Sequence, residues 1–125
     1  MSNLYLRGRI PDGSKISIWI VEGEDTPEGS FVGSARLVLE DGKEEIWTDA
    51  DIHPEPKSKK LVSPKNYVWR VRVGFTSADV QKAVIHAEIQ KPDGSVFSTP
   101  YEHEVEGKNG DEVRATIVAI TLLDQ

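Results

Sequence analysis

The chain has 125 residues, a formal charge of −6, 38% apolar and 29% charged residues, and no cysteine. That length fits a single domain, 1–125, with one core, and the composition lies away from the low-hydropathy, high-charge range in which chains stay unfolded. It excludes disulfides, thiolate metal sites and cysteine nucleophiles, argues against general nucleic-acid binding, which needs clustered Lys and Arg against phosphates, and offers no apolar window of membrane-spanning length.

The start, Met1-Ser2-Asn3-Leu4, lacks the charged-then-apolar pattern of a signal peptide, which favours the cytoplasm if Met1 is native. Turn chemistry then punctuates the chain, with Pro-Asp-Gly-Ser at 11–14 and again at 92–95. Pro presets the first corner, Asp bonds to nearby backbone, and Gly supplies the left-handed residue of a three-residue hairpin loop. Closing the first hairpin on Ile10 and Ser14 sets Leu6 opposite Ile18, Leu4 opposite Ile20 and Gly8 opposite Ile16, all on one face. The other face receives Tyr5 beside Trp19, with Arg7 near both, as expected of a half-buried antiparallel pair. The segment Gly8 to Lys15 has the glycines of a phosphate loop, but lacks Gly-Lys-Ser and leads into a strand, so it is not one.

After a loop at 23–30, strands at 31–40 and 44–49 flank Asp41-Gly42, a two-residue hairpin signal that sets Leu37 opposite Ile46 inside and Arg36 opposite Trp47 outside. Residues 50–65, with Pro54, Pro56 and Pro64, read as a long loop, either mobile or functional. The clearest strand is 67–75, where Tyr67, Trp69, Val71, Val73 and Phe75 alternate with Val68, Arg70, Arg72 and Gly74. Residues 77–82 offer the only helical turn, with Thr76 and Asp79 at capping-box spacing.

The second Pro-Asp-Gly-Ser turn pairs Lys91 with Ser95 and Ile89 with Phe97, then Ala87 with Thr99 and Ile85 with Tyr101, leaving His86 outside near Pro100. Proline there fits an edge strand or a strand end. The last strand, 112–123, becomes apolar on both faces from Ile117, so Ile120 and Leu122 mark either a covered face or a partner interface.

These elements predict an all-β, two-layer antiparallel sandwich of about eight strands with minimal helix, on an immunoglobulin-like or related Greek-key plan. Trp69 on the inner face resembles the core Trp of immunoglobulin-like sandwiches, although no cysteine pair accompanies it.

Charge is unevenly spread. Residues 22–52 hold ten acids and two bases, whereas 57–72 hold six bases and no acid. The two stretches neutralise each other within the fold or across a dimer, or else Lys57, Lys59, Lys60 and Lys65 meet an acidic partner.

Catalytic and metal motifs are missing. His53, His86 and His103 have no shared ligand spacing, and neither Glu102-His103-Glu104 nor the stretch from Asp49 to His53 matches a recognised metal pattern. Ser14, Ser30, Ser34 and Ser95 follow turn or strand glycines and lie outside any nucleophile elbow. The expectation is therefore a non-enzyme without cofactor or metal: an interaction or scaffolding module that binds a protein partner or self-associates. Its binding residues would come from Tyr5, Arg7, Trp19, Arg36, Trp47, Ile120 and Leu122. The alternative is a carbohydrate-binding sandwich that stacks sugars on outward-facing Trp19 and Trp47.

Overall fold

The alternation at 67–75 forms β6 (Asn66–Phe75), whose inward residues from Tyr67 to Phe75 are all buried while Arg70 and Arg72 face outward. This computed structural model describes residues 2–6, 10–39, 41–61, 66–97 and 101–120, with side chains described for 10–39, 41–61, 66–97 and 101–118. The other described strands are β1 (Ser2–Leu6), β2 (Lys15–Glu22), β3 (Phe31–Leu39), β4 (Glu44–Trp47), β5 (Lys57–Lys60), β7 (Gln81–Gln90), β8 (Tyr101–Gly107) and β9 (Glu112–Ile120).

They build the expected two-layer sandwich from nine strands: a five-stranded sheet in the order β1-β9-β6-β3-β4 and a four-stranded sheet in the order β5-β2-β7-β8. All pairs are antiparallel except β1 with β9, which is parallel. Between the sheets lies one core, in which Ile16, Ile18, Ile20, Leu37, Trp69, Ile85 and Ile117 are fully buried. The indole Nε1 of Trp69 has no hydrogen-bond partner among the described residues.

Successive strands change sheets far more often than tight turns suggest. Only β3–β4 and β7–β8 are hairpins, and every other connection crosses from one layer to the other. The turn at 11–14 forms as expected, with Gly13 at φ 85° and the Ser14 amide donating to the Pro11 carbonyl at 3.0 Å. It does not make a hairpin. From Lys15 to Ile18, where a hairpin partner would have to begin pairing, β2 is flanked by β5 and β7, and β1 joins β9 instead. The Gly13 amide donates to Leu61 and the Leu61 amide to Ser14, which ties the turn to the β5 side.

Its second copy does close a hairpin, with the Lys91 amide donating to Ser95 and that of Phe97 to Ile89. Further along, Ala87 lies opposite Tyr101 and Ile85 opposite His103, two residues beyond the simple count. An even shift preserves the faces. Thr99 and Pro100 lie outside the described residues.

The β3–β4 hairpin differs by an odd number. Leu39 and Lys43 close the loop, and Gly42, at φ 84°, donates to the Leu39 carbonyl, the arrangement of a three-residue loop. Ala35 therefore faces Trp47 and Arg36 faces Ile46. That single extra residue turns Trp47 into the core, 1% exposed, and Ile46 outward, 57% exposed, reversing the expected faces.

The stretch read as a loop at 50–65 contains structure: α1 (Asp49–Ile52) and the edge strand β5. The capping-box spacing that starts α1 is Thr48 with Asp51, whose carboxylate accepts from the Thr48 amide at 2.8 Å and hydroxyl at 3.1 Å. These bonds, the amide first, hold the Asp51 carboxyl below its usual range. No helix forms at 77–82, where the chain bends at Ala78 and Asp79 and enters β7.

Candidate functional site

Strand pairing assembles cross-strand rows on the outer face of the five-stranded sheet. Ile46, Arg36, Arg70 and Thr116 form one row, and Ser34, Arg72 and Arg114 the next. On one side lies the half-buried row Val38, Val68 and Val118, and on the other Val32, Gly74 and Glu112. The two central rows line a shallow trough of about 540 Å³ that holds Arg36, Arg70, Arg72 and Arg114.

These arginines are unequally compensated. The Arg72 and Arg114 guanidiniums lie 3.1 Å and 2.8 Å from the same Glu112 oxygen, and Arg36 lies 3.8 Å from Glu44. The hydrogen bond from Arg114, and then the nearby Arg72 charge, hold the Glu112 carboxyl below its usual range. Arg70, exposed at the centre, has no ion pair with any described residue. Among the described residues, four guanidiniums against two carboxylates leave this face positive on a chain whose net charge is −6. Planar guanidiniums take carboxylate or phosphate oxygens two at a time, so the trough suits an anionic surface.

The expected site residues are dispersed. Arg36 belongs to the trough, but Trp47 is buried with its ring centroid 5.8 Å from that of Trp69. Trp19 does face outward, half-buried on the four-stranded sheet, where it stacks on His86 at 4.9 Å with the ring planes 4° apart. Tyr5 is not its neighbour: β1 lies in the other sheet, with Tyr5 opposite Val118. Ile120 pairs with Asn66 on β9, while Arg7, Leu122 and Lys65 lie outside the described residues.

The basic segment divides as well. Lys59 donates to the Glu45 carboxylate, and Lys57 Nζ sits 5.6 Å from the centroid of the Trp47 ring, so both join β5 to β4 along one edge of the sandwich. The Lys59 hydrogen bond outweighs partial burial and holds the Glu45 carboxyl below its usual range. Acidic and basic stretches thus compensate each other locally. Lys60 remains exposed, opposite Lys15.

A second cluster lies where α1 meets β2. His53 Nδ1 is 3.2 Å from Asp49 Oδ1, its Nε2 contacts the Glu22 carboxylate, and Phe31 stacks on its ring at 4.7 Å. Asp49 also accepts from the Gly33 amide at 2.7 Å, which ties α1 to β3. An adjoining depression of about 310 Å³ is lined by Glu22, Glu28, Phe31, Asp49 and His53. Both imidazole nitrogens meet carboxylate oxygens and one ring face is covered, so the arrangement works as a clamp. Strand alternation separates Glu102 and Glu104, which face out, from half-buried His103. Among the described residues no three His, Asp or Glu side chains gather as a metal site.

Sequence reasoning missed Arg70, Arg72 and Arg114 as members of one site. The alternation at 67–75 already put Arg70 and Arg72 on the outward face; what the chain did not disclose was that β3 and β9 flank β6. Comparison with protein-family models, curated proteins and solved structures finds no match to this chain. Among the described residues no helix is long and apolar enough to cross a membrane.

Proposed function

We propose that the protein is a non-catalytic interaction module and that its working surface is the outer face of the five-stranded sheet, which recognises an acidic partner. The observation that carries this reading is the arginine trough, with Arg70 exposed at its centre and uncompensated by any described carboxylate. Flanking Ile46 and Val32, 57% and 56% exposed, supply apolar contact beside the charges. Charged groups arranged this way set specificity and association rate, while neighbouring apolar area holds the complex together.

Isothermal titration with a short polyglutamate peptide tests the proposal, with an uncharged glycine-serine peptide of the same length as control. Binding should be salt-sensitive and weaken by about tenfold or more in Arg70→Glu. Failure of polyglutamate to bind at low salt would refute it.

The carbohydrate reading retains Trp19 alone, since Trp47 is in the core. One indole, already stacked on His86, is a small sugar platform. A glycan that shifts the fluorescence of the wild type and not of Trp19→Phe would revive it.

A further inference from the structure

We propose that the acidic partner of the arginine face is the outer face of the four-stranded sheet of a second copy, so that sandwiches stack head to tail. This rests on the reading above and names the occupant. Cross-strand rows on that second face run Trp19, His86, Glu102 and then Val21, Val84, Glu104, with Ser17 opposite Glu88 beside them. Trp19, His86, Val21, Val84 and Glu88 are half-buried, and Glu102 and Glu104 are exposed.

Among the described residues the second face carries Glu88, Glu102, Glu104 and Glu106 against Lys15, Lys60 and Lys82, so it is weakly acidic where the first is basic. Each sets half-buried valines beside a charged row: Val38, Val68 and Val118 beside Arg36 and Arg70 on one, Val21 and Val84 beside Glu102 on the other. Same-face residues two apart on any strand are separated by about 6.8 Å, so Glu102 and Glu104 along β8 match Arg70 and Arg72 along β6. Trp19 and His86 stack face to face across β2 and β7, which fixes both rings beside Glu102. Cations are also present: Lys82, 3.9 Å from Glu104, and Lys15 opposite Lys60 stand at the two ends of the acidic face, away from the row of Trp19 and Glu102.

Because the two surfaces differ, the contact is heterologous and leaves one free face of each kind at the ends of every assembly, so it extends with concentration unless it closes into a ring.

Sedimentation velocity on the wild type, on Arg70→Glu/Arg72→Glu and on Glu88→Lys/Glu102→Lys tests the stacking, with circular dichroism to establish that each variant is folded. The wild type should form larger species as concentration rises, and high salt should dissociate them. Either charge-reversed variant alone should sediment as a monomer, and an equimolar mixture of the two should associate again, since each reversed face then meets its opposite. A wild type that stays monomeric at the highest concentration, or variants that associate as the wild type does, would overturn the proposal. If the monomeric wild type still binds polyglutamate through Arg70, only this inference falls; if it does not, the functional reading falls with it.

Discussion

Truncating Trp47 separates the observed register of β4 from the one that a two-residue loop implies. In the structure Trp47 is 1% exposed, with its ring against Trp69 and Lys57 over it. Trp47→Ala should then cost about 3–5 kcal/mol, the range for large aromatics removed from cores. Area gives a similar figure: about 200 Å² of ring at about 25 cal/mol per Å² is about 5 kcal/mol, an upper value because unfolded chains already bury some of it. For a chain of 125 residues, an unfolding entropy of about 2.1 cal/mol/K per residue converts each kcal/mol into about 4 °C. The melting temperature should fall by about 12–20 °C, and Trp47→Phe, which keeps a ring in the core, should lose much less. Its neighbour Ile46, 57% exposed, is the control, and Ile46→Ala should stay within about 0.5 kcal/mol of wild type. Guanidinium unfolding with the m-value checked for each variant measures both. A Trp47→Ala protein as stable as wild type, with Ile46→Ala strongly destabilised, would refute the register and return the indole to the surface.

Other consequences are tested in the same way. His53→Phe keeps a ring against Phe31 but removes both links to carboxylates, and should cost about 1–3 kcal/mol by urea melt; equal stability would mean that the clamp contributes nothing. Gly33→Ala would place a Cβ 2.6 Å from Ile20 Cδ1, so overpacking of about 1–3 kcal/mol should appear as a lowered denaturation midpoint, and an unchanged midpoint would count against that close approach. Glu45 has its carboxyl held low in the folded state by Lys59, so the pair's contribution is complete above the unfolded carboxylate value and is lost as pH falls through the lower folded one. Lys59→Met should therefore flatten the stability curve only below about pH 4.5, and an identical acid limb in both proteins would contradict the link. Acrylamide should quench Trp19 in preference to Trp47 and Trp69, which are buried, and Trp19→Phe should abolish most of the quenching; strong quenching that survives this change would place another indole at the surface.

The periodic parts of the fold were legible because period-two alternation is set by burial, which acts residue by residue. β6 was read with its faces correct, and the inward set Ile16, Ile18 and Ile20 on β2 was read correctly even though its partner was not. Pairing is a different kind of information. Pro-Asp-Gly-Ser specifies that the chain turns, and does so at both copies, but Gly13 opens a crossing between layers while Gly94 closes a hairpin. What decides between them is whether the outgoing strand has a free edge next to the turn: β2 has none from Lys15 to Ile18, where β5 and β7 hold both sides. A local motif carries no record of that competition.

The charge pattern followed the same division. Segregation of acids at 22–52 from bases at 57–72 was visible in the chain, and its first outcome, local neutralisation, is realised where Lys59 meets Glu45. But Lys57 and Lys59 of that basic stretch are held against β4, and the arginines of β6 come forward because the sheet sets β3 on one side of them and β9 on the other. Arg36, Arg70, Arg72 and Arg114 come from three strands distant in sequence, and each alone is an ordinary solvated residue on an exposed face. Their joint field exists only once the pairing β3-β6-β9 is made, and the carboxylates of β7 and β8 on the opposite side come together in the same way. Under the proposed stacking, the two outer faces of one chain supply both halves of an interface, and the long-range pairing that builds the core is what assembles them.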